Sequence, residues 1–192
     1  MRGVRIIAGA LKGRRLAVPQ GDAVRPTADR AREALFSILE HGEPGLREAR
    51  FLDLFAGSGA VGIEAFSRGA PEVLLVESER EALAALRANL DSLPHRGAIR
   101  LMATDATRLG AAPRAFDIAF LDPPYRSGLA PTTLESLAAG GWLVPEARVV
   151  VELAAREAFT PPAGYGIEDQ RRYGSCRFVF LRYQKASGLG SS

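Results

Sequence analysis

The run Phe51-Leu-Asp-Leu-Phe-Ala-Gly-Ser-Gly59 constrains this chain more than any other segment. Five largely apolar residues lead straight into a small glycine-rich stretch, so they read as a buried strand that ends in a tight turn. A helix is expected immediately afterwards, over about Ala60–Ser67. Gly57, Gly59 and Gly62 match G-x-G-x-x-G, and Glu77 ends the next apolar run twenty residues after Gly57. That spacing suits a nucleotide-like ligand: the glycines let the backbone approach it, the helix N-terminus faces it, and the carboxylate accepts from both ribose hydroxyls. Phe55, Ala56, Ser58 and Ser78 complete this candidate binding segment.

The pattern alone fits either a nicotinamide dinucleotide or S-adenosylmethionine. Asp53 favours the second, because a carboxylate just before the glycines suits a ligand carrying an ammonium group and would repel a pyrophosphate. Asp105, with Ala106 beside it, follows the third predicted strand, where a carboxylate could reach an adenine amino group.

A second segment carries chemistry of its own. Phe116–Leu121 reads as a strand and runs directly into Asp122-Pro-Pro-Tyr125. No strand continues through two prolines, so the tetrapeptide forms a rigid loop at the strand's carboxyl end. Asp122 and the carbonyl of Pro123 are then acceptors, Pro124 stiffens the loop, and Tyr125 offers a flat face. This set matches methylation of an aryl amine, whose lone pair is delocalised into its ring. Acceptors on the two amino hydrogens orient the nitrogen and free electron density, and stacking on Tyr125 holds the base. A stacked base would first have to be extruded, at a cost of a few kcal/mol.

The rest of the chain alternates. Further strands are expected at Val73–Glu77, Ile99–Ala103, Val149–Leu153 and Arg177–Tyr183, with helices after Ser78 and over Leu129–Ala138. Ser78 and Glu81 have the spacing of a capping box for the first of these helices. The order argues for a doubly wound, mostly parallel α/β sheet, Rossmann-like, with helices on both faces. Ahead of it, Val4–Ala8 and Arg15–Val18 read as a hairpin, and Pro26-Thr27 opens a helix with Thr27 as N-cap and Ala31, Leu35, Ile38 and Leu39 as its apolar stripe. The loop 41–45 is expected to separate this extension, residues 1–45, from a catalytic domain over 46–185. The small, polar tail 186–192 is expected to be disordered.

Charge supports a nucleic-acid partner. Of 25 basic residues only Lys12 and Lys185 are lysine. Residues 1–32 carry eight basic and two acidic side chains, residues 51–160 carry ten and fourteen, and residues 161–192 carry five and two. Both ends are therefore basic around an acidic middle, and arginine suits phosphates and bases through its planar fork. Arg5, Lys12, Arg14, Arg15, Arg25, Thr27, Arg30 and Arg32, with Arg126 and Arg172 farther on, are the candidate nucleic-acid contacts. Cys176 is the single cysteine, so no intramolecular disulfide and no thiolate metal cluster can form, and no metal is expected. No apolar run is long enough for a signal peptide or a membrane span, so a cytoplasmic location is expected.

Together, Leu52–Gly59 and Asp122–Tyr125 resemble class I methyltransferases that modify amino groups of nucleic-acid bases. More narrowly, the chain is similar to the RsmD family, the 16S ribosomal RNA guanine-N2 methyltransferases. The further matches are Arg5-Ile-Ile-Ala-Gly9, Lys12-Gly-Arg-Arg-Leu16, Arg25-Pro-Thr-Ala-Asp-Arg30 with Arg32-Glu33, and Arg172-Tyr-Gly174. Ala8 departs from the family's frequent second glycine. The resemblance implies a seven-stranded sheet, S-adenosylmethionine as methyl donor, S-adenosylhomocysteine as product, and one guanine of 16S RNA in a partly or fully assembled small subunit as target; a monomer is expected.

The residues themselves leave two further readings open. One is a DNA or RNA adenine-N6 or cytosine-N4 methyltransferase, since the tetrapeptide serves those amines too; 192 residues leave no visible target-recognition domain for it. The other is a non-catalytic RNA-binding assembly factor, against which the intact Asp53, Glu77, Asp122 and Tyr125 argue.

Overall fold

A computed structural model describes residues 3–19, 26–94 and 96–184. The apolar run after Arg50 becomes strand β3 (Arg50–Leu54), an interior strand of a seven-stranded sheet. Successive residues of a strand face opposite sides. Accordingly Phe51 lies in one buried cluster and Leu52 and Leu54 in the other. Both faces of β3 are covered, which explains why apolar residues stand at successive positions, with the buried Asp53 among them, rather than in alternation.

The remaining strands are β4 (Glu72–Glu77), β5 (Ile99–Ala103), β6 (Phe116–Leu121), β7 (Leu143–Ala154), β8 (Tyr165–Tyr173) and β9 (Cys176–Tyr183), in the order β5-β4-β3-β6-β7-β9-β8. Five neighbours, β5 through β7, run parallel, while β9 is antiparallel to both β7 and β8. Helices α1 (Pro26–Glu40), α2 (Ala60–Ser67) and α3 (Arg80–Asp91) contribute to the first buried cluster, and α4 (Leu129–Gly140) to the second. Helices therefore cover both faces, as expected. The chain leaves β3 toward β4, while β6 returns on β3's other side; this reversal is a topological switch point, where the carboxyl ends of the strands open a crevice.

Three expectations are corrected. Strand β8 was not foreseen from local pattern: it is an edge strand with only Tyr165 buried, so it shows no apolar period. The capping box does not form. Helix α3 has Glu79 at its N-cap with no side-chain capping bond, and the amides of Ser78 and Glu79 go to Glu77 instead. Thr27 lies inside α1 rather than before it, because Pro26 occupies the first helical position, where its missing N–H costs nothing.

The N-terminal extension shares the main core. Its ladder is short, β1 (Val4–Arg5) on β2 (Arg15–Leu16), yet Ile6, Leu11, Leu16, Leu35 and Phe36 are buried in one cluster with Phe51 and Ile63. Polar bonds fix it to α2. Glu64, fully buried, accepts from the amides of Ile7 (2.7 Å) and Ala8 (3.0 Å) and from Arg68 Nε (2.8 Å). Ser67 Oγ accepts from Leu11 N–H, and Ala10 N–H donates to the Ser67 carbonyl. At the other end, Arg148 of β7 donates to the carbonyls of Ile38 and Leu39, satisfying orphan acceptors at the close of α1. The expected tail 186–192 lies outside the described residues. No helix among the described residues is long and apolar enough to cross a membrane.

Candidate active site

Leu54 and Leu121 pair in parallel register, so the glycine turn and the Asp122 loop leave the sheet side by side. The Asp122 amide donates to the Leu54 carbonyl at 3.3 Å, and Ala56 N–H donates to the Val76 carbonyl at 3.0 Å. Three adjacent strand exits are thus tied together. Between them lies a cleft of about 400 Å³ lined by Phe55, Glu77, Glu79, Asp122, Pro123, Pro124 and Tyr125. That volume falls within the usual range for small-molecule sites.

Glu77 closes the floor. It is 8% exposed, and its carboxylate accepts three backbone N–H groups, from Gly57 at Oε2 and from Ser78 and Glu79 at Oε1, each at 2.8 Å. A carboxylate has about four acceptor positions. Glu77 therefore clamps the turn, spending three of those positions on backbone donors.

Asp53 does not line the cleft. It is 1% exposed, and Oδ2 accepts the Gly62 amide at 2.8 Å, so it holds the first turn of α2 from behind. Burial, reinforced by the charge of Glu77 and opposed by the Gly62 bond, pushes its carboxyl up to about 7. Asp105 caps a short 3₁₀ turn at Ala106–Arg108, accepting from Thr107 N–H (2.8 Å) and Thr107 Oγ1 (2.7 Å). Those bonds hold its carboxyl below the usual range. Ala106 is buried, Ser78 is exposed, and the Ser58 carbonyl is engaged by Asn89.

The tetrapeptide is built as its sequence requires. Pro123 is buried, Asp122 and Pro124 are exposed, and Tyr125 is 46% exposed at the rim. Tyr125 Oη donates to Glu152 Oε1 of β7 at 3.0 Å. Burial pushes the carboxyl of Glu152 up, and burial together with the charges of Glu152 and Asp122 raises the Tyr125 hydroxyl. Cys176 is buried nearby, its thiol pushed up to about 12 by burial and by Glu152. Sequence reasoning missed Glu152 and Glu79. A lone carboxylate ending the apolar run Val149-Val-Val-Glu152 is the signal that had exposed Asp53 and Glu77.

The lining offers three carboxylates, two aromatic rings and no cationic side chain. It suits a positively charged ligand and disfavours a pyrophosphate. The residues present therefore fit S-adenosylmethionine better than a dinucleotide.

The basic candidates separate into two groups. Arg5, Lys12 and Arg30 line a second hollow of about 340 Å³ between the hairpin and α1, and Arg15, Arg126 and Arg172 are exposed. Arg172 lies near the β8–β9 turn, one pair beyond Tyr173↔Cys176. Arg14 spends its guanidinium on the Ser92 carbonyl. Arg32 is corrected from an RNA contact to a structural residue: it is 7% exposed, bonded to the Arg5 carbonyl (2.7 Å) and paired with Asp29 (3.0 Å). Arg25 and the side chain of Thr27 lie outside what is described.

A parallel sheet with its switch point at a glycine turn, and an Asp-Pro-Pro-Tyr loop on the neighbouring exit, define a methyltransferase of the class I fold. A family model described as Conserved hypothetical protein 95 matches residues 4–182. The chain is 37% identical over 183 residues to ribosomal RNA small subunit methyltransferase D of Escherichia coli (strain K12), covering 95% of this chain and 90% of that one. It is 34% identical over 175 residues to the protein of the same name from Haemophilus influenzae, covering 89% of each. A solved Escherichia coli structure described as the methyltransferase yhhF superimposes with a TM-score of 0.81 at 36% identity, covering 96% of this chain and 99% of that one. The chain belongs to the family of ribosomal RNA small subunit methyltransferase D.

Proposed function

We propose that this protein transfers a methyl group from S-adenosylmethionine to the exocyclic N2 of a guanine in 16S ribosomal RNA, acting as a monomer on a partly or fully assembled small subunit in the cytoplasm. The observation that carries the reading is the shared cleft, in which Glu77 and the Asp122–Tyr125 loop face the same space. The relatives' name supports the RNA substrate; the guanine and the assembled subunit follow from the family resemblance.

When bound, S-adenosylmethionine supplies an electrophilic methyl group on a positively charged sulfur. Glu77 would hold the ribose, and the acidic lining would favour the ligand's positive charge. Asp122 and the Pro123 carbonyl accept hydrogens of the target amino group and turn its nitrogen toward the methyl group. Tyr125 stacks on the base, with its ring fixed by the bond to Glu152. The nitrogen becomes acidic as it gains a substituent, so Asp122 need not be a strong base to take its proton. The arrangement contributes mainly through positioning. The reaction in this form uses no metal and releases S-adenosylhomocysteine.

The test is incubation of unmodified small subunits with labelled S-adenosylmethionine, followed by nucleoside mass spectrometry. N2-methylguanosine is the expected product. N6-methyladenosine or N4-methylcytidine would assign a different amine, and absence of label would point to a binding factor.

A further inference from the structure

Asn89 on α3 is a buried polar residue, 4% exposed, with every hydrogen-bonding group of its amide engaged. Nδ2 donates to the Ser58 carbonyl at 2.9 Å and to the Ala17 carbonyl at 2.8 Å, and Oδ1 accepts the Ala17 amide at 2.8 Å. Ser58 lies between two glycines of the turn; Ala17 directly follows β2 in the N-terminal extension. One side chain thus joins the turn beside the cleft to a segment 41 residues earlier, bridging 72 residues of sequence to Ala17 itself.

The bond to Ser58 has a geometric consequence. It draws the Ser58 carbonyl into the protein, while the following amide, that of Gly59, donates to the Ala56 carbonyl at 2.7 Å. Both ends of the 58–59 peptide are therefore fixed, and with them the stretch whose Gly57 amide is held by Glu77. Glycines give this turn no side-chain packing of their own to resist distortion. Its shape depends on such bonds. Asn89 in turn is aligned by its two bonds to Ala17, and a further tie, Arg14 to the Ser92 carbonyl, holds the extension on the end of α3.

We infer that Asn89 is a positioning residue for the cofactor turn, and that the N-terminal extension, through the backbone of Ala17, helps to shape the cofactor site as well as serving RNA. The inference rests on the reading of the glycine turn as a cofactor site.

The experiment is calorimetric titration of the full chain with S-adenosylhomocysteine, well below the melting temperature, for wild type, Asn89→Ala and Ala17→Pro. Ala17→Pro removes the N–H that aligns Asn89 Oδ1, fixes φ at position 17, and keeps both the Ala17 carbonyl and the Asn89 side chain, so it keeps the inference testable if Asn89→Ala fails to fold. Asn89→Ala is expected to raise Kd at least about fivefold, or about 1 kcal/mol at 1.4 kcal/mol per tenfold; Ala17→Pro raises it in the same direction by less. A purely structural asparagine would lower the melting temperature and leave Kd of the folded protein unchanged, and that result overturns the inference alone. Failure of the wild type to bind S-adenosylhomocysteine overturns the cofactor reading and this inference with it.

Discussion

The amide of Asp122 donates to the carbonyl of Leu54, 3.3 Å away, and this bond ties the exit of the strand bearing the tetrapeptide to the exit of the strand bearing the glycine turn. Because it uses backbone atoms only, the Asp122 side chain can be changed without undoing the juxtaposition. Asp122→Ala is therefore expected to lower turnover by a factor of at least about 10². The Kd for S-adenosylhomocysteine should stay near that of wild type, because Glu77 and its three backbone donors are untouched. Single-turnover methylation combined with calorimetry checks both; loss of cofactor binding would mean that Asp122 serves the cofactor rather than the amine.

Asp53 makes stability depend on pH. Its carboxyl titrates near 7 in the folded protein, against 3.8 for an unperturbed aspartate, so the folded form binds the proton more tightly than the unfolded chain. Its stabilising contribution is fully present below pH 3.8 and is lost as pH rises through 7, up to about 4 kcal/mol at 1.36 kcal/mol per pH unit. Asparagine still offers an oxygen to the Gly62 amide but carries no charge. Asp53→Asn should gain stability relative to wild type between about pH 5 and pH 8, read as a widening difference in melting temperature. A difference that stays constant with pH would show that Asp53 is not the titrating group.

Much of this was legible in the sequence because the informative residues sit where strands end. The glycine turn, Glu77 and the Pro-Pro exit are each local, and adjacency of their strands follows from the doubly wound order. What escaped reading is non-local. Strand β8 is paired on one side only and needs no apolar pattern. Glu152 looks like the end of an apolar run until Tyr125 is placed over it from the loop that follows the neighbouring strand. The apparent capping box at Ser78 and Glu81 is outcompeted by Glu77, whose carboxylate already stands at the start of α3. Arg32 has the same sequence character as Arg30; only the fold turns Arg32 inward, onto Asp29 and the Arg5 carbonyl.

Burial likewise separates the inward Arg32 from the exposed Arg15 experimentally. If the exposed Arg15 contacts an RNA phosphate, Arg15→Ala should flatten the dependence of log K on log salt by about 0.7 for a single-stranded contact. Arg32→Ala should leave that slope alone and lower the melting temperature instead, because it removes the bonds to Asp29 and to the Arg5 carbonyl. Filter binding across a salt series with an RNA fragment, alongside thermal melts, distinguishes the two. An unchanged slope for Arg15→Ala would remove that residue from the RNA footprint.

Gly9 and Gly13 give a matched pair for testing how tightly the extension is held. Both have positive φ, +81° and +83°, so alanine is strained at either, by about 1–3 kcal/mol. They differ in surroundings. A Cβ at Gly13 would meet nothing within 4 Å, whereas one at Gly9 would lie 1.8 Å from the Ser67 carbonyl oxygen, a backbone atom that cannot swing aside. That carbonyl already accepts the Ala10 amide. Gly9→Ala must therefore pull residues 8–11 off α2, exposing the buried Leu11 and weakening the bonds of Ile7 and Ala8 to Glu64. At about 2–4 °C per kcal/mol for a chain of this size, Gly13→Ala should lower the melting temperature by a few degrees, and Gly9→Ala by clearly more. Equal shifts in the two variants would mean that the turn at Gly9 relaxes freely and that the extension is not clamped to α2 as the hydrogen bonds indicate.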